Sequence, residues 1–237
     1  MTKDIRPRIN AQQKKALDYL RAKERRTIVI GDLHCPFEKQ GYFEFCLDTY
    51  DKYNCNNVVF IGDLIDSHAT SRHETDPNGM SAKTELEQAI ADLEKWREAF
   101  PVATVIIGNH DRVVMRRAFS SSIPSMWIKS FNEVLGTSWD WTERAEFDGV
   151  QYVHGEGGSA RMKAKNDLQS TVQGHIHTQA YVEHFCGNRS RIWAMQVGCG
   201  LDRDTYAAAY AKHYKKQAIG CGVVIGGHTA INCLMPL

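Results

Sequence analysis

The chain has 237 residues, with 29 Lys and Arg against 28 Asp and Glu, and a formal net charge of +1. This length can bury a sizeable core, and a general electrostatic attraction to nucleic acid or membranes does not follow from the balanced charge. The apolar runs are of strand length and the first residues lack an apolar stretch, so neither a membrane span nor a secretion signal is expected. Seven scattered cysteines without a CxxC pair argue against a disulfide framework or structural zinc site, and favour a cytoplasmic protein.

The N-terminal segment, residues 1–26, contains nine Lys and Arg but only three Asp and Glu. Residues 11–24 have helical periodicity, with Leu17 and Leu20 among polar neighbours. Two interpretations are open: an arm that faces a polyanion, or a solvated helix packed on the domain through its leucines. We favour the packed helix. Because no linker, repeat or low-complexity stretch interrupts the sequence, we predict one domain over residues 1–237.

Five apolar runs of strand length end at a glycine flanked by polar side chains. A predicted helix over 37–53 separates the first two runs, and this strand–helix–strand order favours parallel pairing. Further along, residues 138–153 predict two strands around an Asp148-Gly149 turn, and Gly226-Gly227 predicts a hairpin near the end of the sequence. The five strand ends are Gly31-Asp32-Leu33-His34, Gly62-Asp63-Leu64-Ile65-Asp66, Gly108-Asn109-His110-Asp111, Val153-His154-Gly155 and Gly174-His175-Ile176-His177.

These strand ends predict a metal site. In open α/β sheets ligands bind at the carboxyl ends of the strands, so side chains that follow neighbouring strands are expected to meet. One Gly-Asp or one His after a strand is most often an ordinary turn, surface or core residue, but five such ends in this order are hard to attribute to coincidence. The predicted ligands are Asp32, His34, Asp63, Asn109, His154, His175 and His177.

The predicted ligands are oxygen and imidazole donors without a thiolate. Such a set suits Mn²⁺, Fe, Zn²⁺ or a similar divalent ion in an expanded shell better than a tetrahedral structural zinc. Seven ligands are too many for one such ion, so we predict two ions about 3.5–4 Å apart, with one bridging carboxylate. Mn²⁺ is the favoured metal, while Fe, Zn, Ni, Co and Mg stay open.

The five motifs resemble those of the calcineurin-like metallophosphoesterases, and the whole chain resembles the small phosphoesterases common in phage genomes. The resemblance implies a four-layer αββα sandwich of two mixed β-sheets, with the metal site at the carboxyl ends of the strands. If the protein is phage-encoded, the predicted cytoplasmic location would be the cytoplasm of the host cell. The resemblance also implies two overlapping ligand sets that share Asp63 as the bridge: Asp32, His34, Asp63 and His177 for one metal, and Asp63, Asn109, His154 and His175 for the other.

The implied mechanism is in-line attack on a phosphoester by a metal-bridging hydroxide. His110 is the candidate catalytic residue that protonates the leaving alkoxide, because an imidazole titrates near neutral pH. Asp66 resembles the family position that pairs with this histidine and holds its tautomer. Asp66 is therefore the second candidate catalytic residue.

Three further residues are candidates for substrate binding. Arg112, directly after the third motif, and Arg72 could clamp a phosphate, although each also fits an ordinary surface arginine. His68 belongs to a polar loop, residues 67–80, that is a candidate lid or substrate wall.

The substrate class is narrowed by departures from two superfamily patterns. Protein Ser/Thr phosphatases have Arg-Gly after the residue equivalent to Asp66 and Glu after the one equivalent to His110, and this chain has neither. The DNA-repair nucleases of the superfamily often have His in place of Asp66 and carry long extra domains. A small phosphodiesterase or phosphomonoesterase is left.

We predict a phosphodiesterase acting on nucleotide or nucleic-acid substrates, because basic residues flank the site at 112–117 and 161–165. Binding of single-stranded nucleic acid would require aromatic residues among these basic residues. Trp127 and Tyr152 are candidates, although core positions are expected for both. The alternatives are a phosphomonoesterase or protein phosphatase, or a phosphate-binding module that has lost turnover.

Overall fold

The computed structural model describes residues 10–15, 24–71, 76–202, 204–205 and 216–236. Within the basic N-terminal segment, residues 11–15 are helical and exposed. The leucines predicted to pack that segment on the domain, Leu17 and Leu20, lie outside the described residues, and so does Arg72.

The described residues form eleven strands and six α-helices, numbered here in chain order. The strands are β1 (Arg26–Ile30), β2 (Asn57–Phe60), β3 (Thr104–Ile106), β4 (Asp140–Thr142), β5 (Arg144–Phe147), β6 (Val150–Val153), β7 (Ser170–Gln173), β8 (Tyr181–Cys186), β9 (Arg191–Gln196), β10 (Gly220–Ile225) and β11 (Thr229–Leu234). The helices are α1 (Tyr42–Lys52), α2 (Ala82–Asp92), α3 (Glu94–Ala99), α4 (Val113–Ser120), α5 (Phe131–Leu135) and α6 (Ala160–Asp167), and single 3-10 turns occur at His68–Thr70 and Ser125–Trp127.

The strands build two mixed sheets. The first has the order β11-β10-β1-β2-β3-β4, in which β1 to β4 are parallel neighbours and β10 runs antiparallel to β1. The second has the order β5-β6-β7-β9-β8, with β6, β7 and β9 parallel to one another. The predicted parallel pairing of β1 with β2 and the β10–β11 hairpin are confirmed.

Alternating burial along the strands produces the layers. In β1, Ile28 and Ile30 face a core shared with the helices that cover the first sheet, among them Trp96 of α3. Val29 faces the other way, into a core between the two sheets that also contains Trp193. This alternation is the two-residue period of an extended strand. On the outer face of the second sheet, the alanines of α6 pack on β9. The order of layers is helix, sheet, sheet, helix, so the predicted αββα sandwich is confirmed.

The prediction of two strands over residues 138–153 was wrong, because this range contains three strands, β4, β5 and β6. The Asp148-Gly149 turn joins β5 to β6 as expected, but β4 pairs with β3 in the first sheet. The chain crosses from one sheet to the other at Glu143, between β4 and β5. Local periodicity cannot distinguish one long strand from two short strands in different sheets. Among the described residues, no helix has the length and apolar character needed to span a bilayer.

Candidate metal centre

The candidate centre lies between the two sheets, at the carboxyl ends of β1, β2 and β3 from the first sheet and β6 and β7 from the second. This placement follows from the parallel direction of these strands, which brings the loops that follow them to one edge. Asp32 and His34 follow β1, Asp63 follows β2, Asn109 follows β3, His154 follows β6, and His175 and His177 follow β7.

Two glycines let these loops approach one another closely. Gly62 has a φ of 110°, and a Cβ atom there would overlap the imidazole of His154. A Cβ atom at Gly108 would overlap the carboxylate of Asp63. Glycine is thus required at position 62 both for backbone conformation and for space, and at position 108 for space.

Three of the predicted ligands have a left-handed backbone, which is uncommon for residues other than glycine. The φ angles are 51° for His34, 48° for Asp63 and 69° for His175. The backbone N–H of His34 donates a hydrogen bond of 2.9 Å to the carbonyl of Asp63 and thereby links the two loops. Backbone strain of this kind persists where the surroundings over-determine it, and it is concentrated at functional sites.

One cluster of possible ligands comprises Asp32, His34 and His177. His177 Nε2 is 3.1 Å from Asp32 Oδ2 and 3.2 Å from His34 Nε2. Asp32 Oδ2 also accepts a hydrogen bond from the backbone N–H of His175, whereas Asp32 Oδ1 is buried without a hydrogen-bond partner among the described residues. A buried carboxylate oxygen without a partner is costly, and a cation would satisfy it.

The second cluster comprises Asp63, His154 and His175. His154 Nε2 is 3.1 Å from Asp63 Oδ2, 3.0 Å from Asn109 Oδ1 and 3.2 Å from His175 Nδ1. The other ring nitrogen, His154 Nδ1, donates a hydrogen bond of 3.0 Å to the carbonyl of Ile61. That bond selects the tautomer in which Nε2 is the electron-pair donor that faces the cluster.

Asp63 connects the two clusters. Its Oδ2 atom is 3.1 Å from His154 Nε2 and 3.8 Å from His34 Nε2. Its Oδ1 atom accepts a hydrogen bond of 2.8 Å from the backbone N–H of His110, which holds the carboxylate in place. The structure therefore brings all seven predicted ligands together, with Asp63 between the two groups.

Burial and neighbouring charges shift the pKa values of the clustered side chains in opposite directions, lowering that of His34 and raising that of His154. Burial lowers the pKa of His34 despite its hydrogen bond to Asp66. Burial works against ionisation of Asp63, but the neighbouring His154 outweighs it and lowers the pKa of Asp63. Conversely, burial alone would lower the pKa of His154, but the Asp63 carboxylate raises that pKa to about 10. A neutral His34 is ready to bind a cation, whereas His154 must first release a proton.

Asp66 contacts two histidines, one of which was not predicted. His110 Nδ1 lies 3.6 Å from Asp66 Oδ1 and donates a hydrogen bond of 2.5 Å to the Asp66 carbonyl. The shorter contact of the carboxylate is with His34, whose Nδ1 donates a hydrogen bond of 2.6 Å to Asp66 Oδ1. Asp66 therefore orients a predicted metal ligand as well as His110. Against the effect of burial, the carboxylates of Asp63 and Asp66 raise the pKa of His110.

Asp111 joins two loops of the centre, a role that was not predicted from the sequence. Its buried carboxylate accepts backbone N–H groups from two loops: Gly108 at 2.8 Å, Leu64 at 3.0 Å and Ile65 at 3.3 Å. These bonds tie the loop after β2 to the loop after β3, which carry predicted ligands. The available signal was a carboxylate directly after Asn109-His110, which was considered only as a departure from the protein phosphatases.

Arg112, predicted to bind substrate, lines a cavity that also contains His154, so it lies beside the centre. Its charge is already compensated. Nη1 of Arg112 is 3.0 Å from Glu156 Oε1, Nη2 is 3.7 Å from Glu143, and Nη2 also donates to the carbonyl of Ile107 at 3.1 Å. The sequence did not predict these partners, because Glu156 lies 44 residues along the chain.

His68, another predicted substrate contact, is buried in the 3-10 turn after β2. Its Nε2 accepts a hydrogen bond of 3.3 Å from the backbone N–H of Asp76. This position favours a role in shaping the polar loop over direct contact with substrate.

The basic residues predicted to flank the site at 161–165 each contact an acidic or aromatic side chain. Arg161 is 2.9 Å from Glu183, and Lys163 is 2.8 Å from Asp167. Lys165 lies over an aromatic ring on β8. Arg161 and Lys165 thus contact β8, whereas Lys163 pairs within α6 and lines the cavity shared by Arg112 and His154, so of these residues only Lys163 lies beside the centre.

The two candidate aromatic residues have different environments. Tyr152 is buried in the core between the sheets, as expected. Trp127 is 78% exposed, so the expectation that it belongs to the core was wrong. Hydropathy alone does not separate a buried tryptophan from one displayed at the surface.

The fold is similar to those of solved proteins at low sequence identity. Vacuolar protein sorting 29 from Cryptosporidium parvum is 13% identical over 85% of each chain, with a TM-score of 0.45. YfcE, a phosphoesterase from E. coli, is 12% identical over 84% of this chain and 87% of its own, with a TM-score of 0.39. Pseudomonas putida nuclease MPE is 12% identical over 87% and 86%, with a TM-score of 0.40. Similarities this distant identify neither a substrate nor a partner.

No curated protein is significantly similar in sequence to this chain. A family model for calcineurin-like phosphoesterases, however, matches residues 25–232. The matched range contains both sheets except the last two residues of β11, and every residue of the candidate metal centre. The chain therefore belongs to the calcineurin-like phosphoesterase family.

Proposed function

We propose that the protein hydrolyses phosphodiesters with the help of two divalent cations held between the two sheets. The observation that carries this proposal is the position of Asp63, whose Oδ2 atom lies within 4 Å of a histidine from each cluster. A carboxylate in that position is suited to bridge two cations. The unpartnered Asp32 Oδ1 and the absence of thiolates among the clustered donors support a site for hard or borderline divalent ions.

The ligand assignment follows the two clusters. Asp32, His34 and His177 would hold one cation together with Asp63, and Asn109, His154 and His175 would hold the other with the same carboxylate. Bound there, the cations would polarise the phosphoryl oxygens and lower the pKa of water, which is the contribution of two-metal sites to phosphoryl transfer.

His110 is proposed to protonate the leaving oxygen. Its raised pKa keeps the imidazole protonated closer to neutral pH, and the hydrogen bond from Nδ1 to the Asp66 carbonyl leaves Nε2 free to reach the substrate. Asp66 is proposed as the group that positions His110 and His34 together, because it accepts hydrogen bonds from both rings.

A nucleotide or nucleic-acid diester is the proposed substrate. Its support is Arg112, which lies two residues after His110 at the start of the arginine-bearing helix α4 and lines a cavity shared with His154. Arg112 can contact a phosphate there by exchanging its present carboxylate partner. Phosphomonoesterase activity, or phosphate binding without turnover, is the outcome that would replace this proposal.

The test is hydrolysis of nitrophenyl phosphate diesters and monoesters with added Mn²⁺, compared with EDTA and with the other divalent ions. We expect turnover that depends on metal, is abolished by EDTA, and is faster for the diester. A faster monoester would reassign the substrate class. Protein that contains two metals per chain by elemental analysis but hydrolyses neither compound would refute enzymatic activity.

Four expectations stay predictions from the sequence: a preference for Mn²⁺, a phage origin, a cytoplasmic location and a single domain. All seven cysteines are free thiols, which is compatible with a reducing compartment.

A further inference from the structure

A groove leads away from the candidate metal centre along α4. Its inner part is a cavity of about 350 Å³ whose lining includes His154, Arg112 and Glu143. Its outer part, about 1120 Å³, has Arg112 and Glu143 in its lining as well, and extends to Phe119 and Lys129. Because the two cavities share lining residues, they adjoin, and together they run from a predicted metal ligand to the far end of α4.

The outer wall of this groove is rich in exposed apolar side chains. Of the ten large apolar residues that are exposed in the described part of the chain, six fall between residues 114 and 127. Phe119 is 86% exposed, at the end of α4 away from the centre. A concentration of this kind indicates a binding surface, whereas single exposed apolar residues are ordinary. The six are Val114, Met115, Phe119, Ile123, Met126 and Trp127, of which Met115, Phe119 and Ile123 line the outer cavity.

The same segment is basic. Residues 112–132 contain four Lys or Arg and no Asp or Glu, and the outer cavity is lined by Arg112, Arg116 and Lys129 together with Glu133 and Glu143. Exposed aromatic side chains among basic residues are typical of surfaces that bind single-stranded nucleic acid, where bases stack on the rings and cations contact the backbone. A groove that begins at a phosphoester centre favours this ligand over a lipid surface, because a chain of phosphodiesters would continue from the scissile phosphate into the groove.

Arg112, the N-cap residue of α4, and Arg116 within α4 form a pre-built anion site. Arg112 Nη1 is 3.0 Å and Arg116 Nη2 is 2.7 Å from the two carboxylate oxygens of Glu156. Arg112 Nε is buried without a hydrogen-bond partner among the described residues, so the pair has unused donor capacity. A phosphodiester presents the same kind of anionic oxygens as this carboxylate.

Glu156 is placed so that a ligand can displace it. It lies between Gly155 and Gly157, whose φ angles of 100° and 96° are open to few other residues, and its side chain is 37% exposed. A carboxylate on a turn flanked by glycines can leave the arginines without disturbing a strand or helix.

Resting on the function proposed above, we propose that this groove binds single-stranded nucleic acid on one side of the scissile phosphate. The neighbouring phosphate replaces Glu156 on Arg112 and Arg116, and a base further along stacks on Phe119. Phe119 lies seven residues beyond Arg112, about 10 Å along the helix axis. The substrate is accordingly an oligonucleotide, which spans both positions, and not a mononucleotide.

The first test measures binding without catalysis. Fluorescence anisotropy of a labelled single-stranded oligothymidylate is recorded in EDTA for the full chain and its variants. We expect Phe119→Ala to raise Kd by about tenfold. Arg116→Ala is expected to raise Kd and flatten its salt dependence. Glu156→Gln is expected to lower Kd. The matched control is Val102→Ala, whose side chain is 83% exposed outside the groove and should leave Kd unchanged.

The second test uses the metal-loaded enzyme. Phe119→Ala should lower kcat/KM for the oligonucleotide about tenfold more than for the small nitrophenyl diester. Equal Kd values for Phe119→Ala, Arg116→Ala and the unchanged protein would overturn the inference. So would binding to phosphatidylglycerol vesicles that needs Phe119 when oligonucleotide binding does not. Because the binding test runs in EDTA, failure of the diesterase activity is recognised separately, as lack of turnover of the nitrophenyl diester.

Discussion

Metal binding should be strongly coupled to the proton on His154. In the protein without metal, the Asp63 carboxylate at 3.1 Å raises the pKa of His154 to about 10, although burial opposes protonation. At pH 7 the ring therefore carries a proton, and a cation that takes Nε2 must displace it.

The magnitude follows from the separation between the working pH and this pKa. Three pH units correspond to about 4 kcal/mol, which the cation must supply before it gains net affinity. The apparent affinity should consequently rise by about tenfold per pH unit, or about 100-fold between pH 6.5 and 8.5. The stability of the metal-free protein should behave in the opposite way. Because the folded pKa is raised above 6.5, the contribution of protonated His154 is complete below pH 6.5 and is lost as the pH rises toward 10.

Isothermal titration with Mn²⁺ in two buffers of different ionisation enthalpy counts the protons released on binding. We expect about one from His154 near pH 7, and one fewer in His154→Gln. His228→Gln is the control, because this histidine is exposed and distant from the centre in the fold, and it should not change the count. An NMR titration of metal-free protein in which His154 loses its proton below pH 7.5 would refute the argument.

Three substitutions test the other parts of the centre. Asp63→Asn should abolish binding of both cations, because one amide oxygen replaces two carboxylate oxygens at the shared position; elemental analysis that still finds two metals per chain would remove the basis of the proposed function. His110→Ala should keep the metals and lower kcat for the diester by about 10²–10⁴-fold, the usual range for a general acid, and loss of metal in this variant would make His110 a ligand instead. Asp111→Ala leaves three buried N–H groups unpaired and should lower the free energy of unfolding by about 3 kcal/mol or more, measured with urea in EDTA. Asp51→Ala, at an exposed position on α1, is its control, and equal stability of the two variants would show that the loop bonds of Asp111 are dispensable.

The part of the centre that the sequence predicts depends on short-range chemistry. A buried strand, a glycine and a polar side chain are neighbours in the chain. A few consecutive residues are therefore enough to predict that Asp32 or His154 lies at a strand end. The parallel strand direction then brings such ends together. This explains why all seven predicted ligands meet even though they are spread over more than 140 residues.

Contacts between loops cannot be predicted from such short-range patterns. The hydrogen bond from His34 to Asp66 joins residues 32 positions apart, and the bonds that Asp111 accepts from Leu64 and Ile65 span 47 and 46 positions. Nothing in the local pattern indicates which of several carboxylates a buried histidine selects, because that choice depends on how two loops pack. The same limit applies to Arg112, whose pairing with Glu156 depends on the approach of the two sheets.

The sequence by itself determined the candidate ligands, through glycine positions and motif order, and the resemblance to the family, which in turn implied the sandwich of two mixed sheets. The tertiary structure determined which partners the polar residues Asp66, Asp111 and Arg112 bind, and how far each aromatic side chain is exposed. Trp127 illustrates the difference: its hydropathy suits a core, yet the cores are filled by residues such as Trp96 and Trp193, and Trp127 is left at the surface. Which apolar side chains remain outside depends on the space that the packed layers leave, and that is a property of the whole fold.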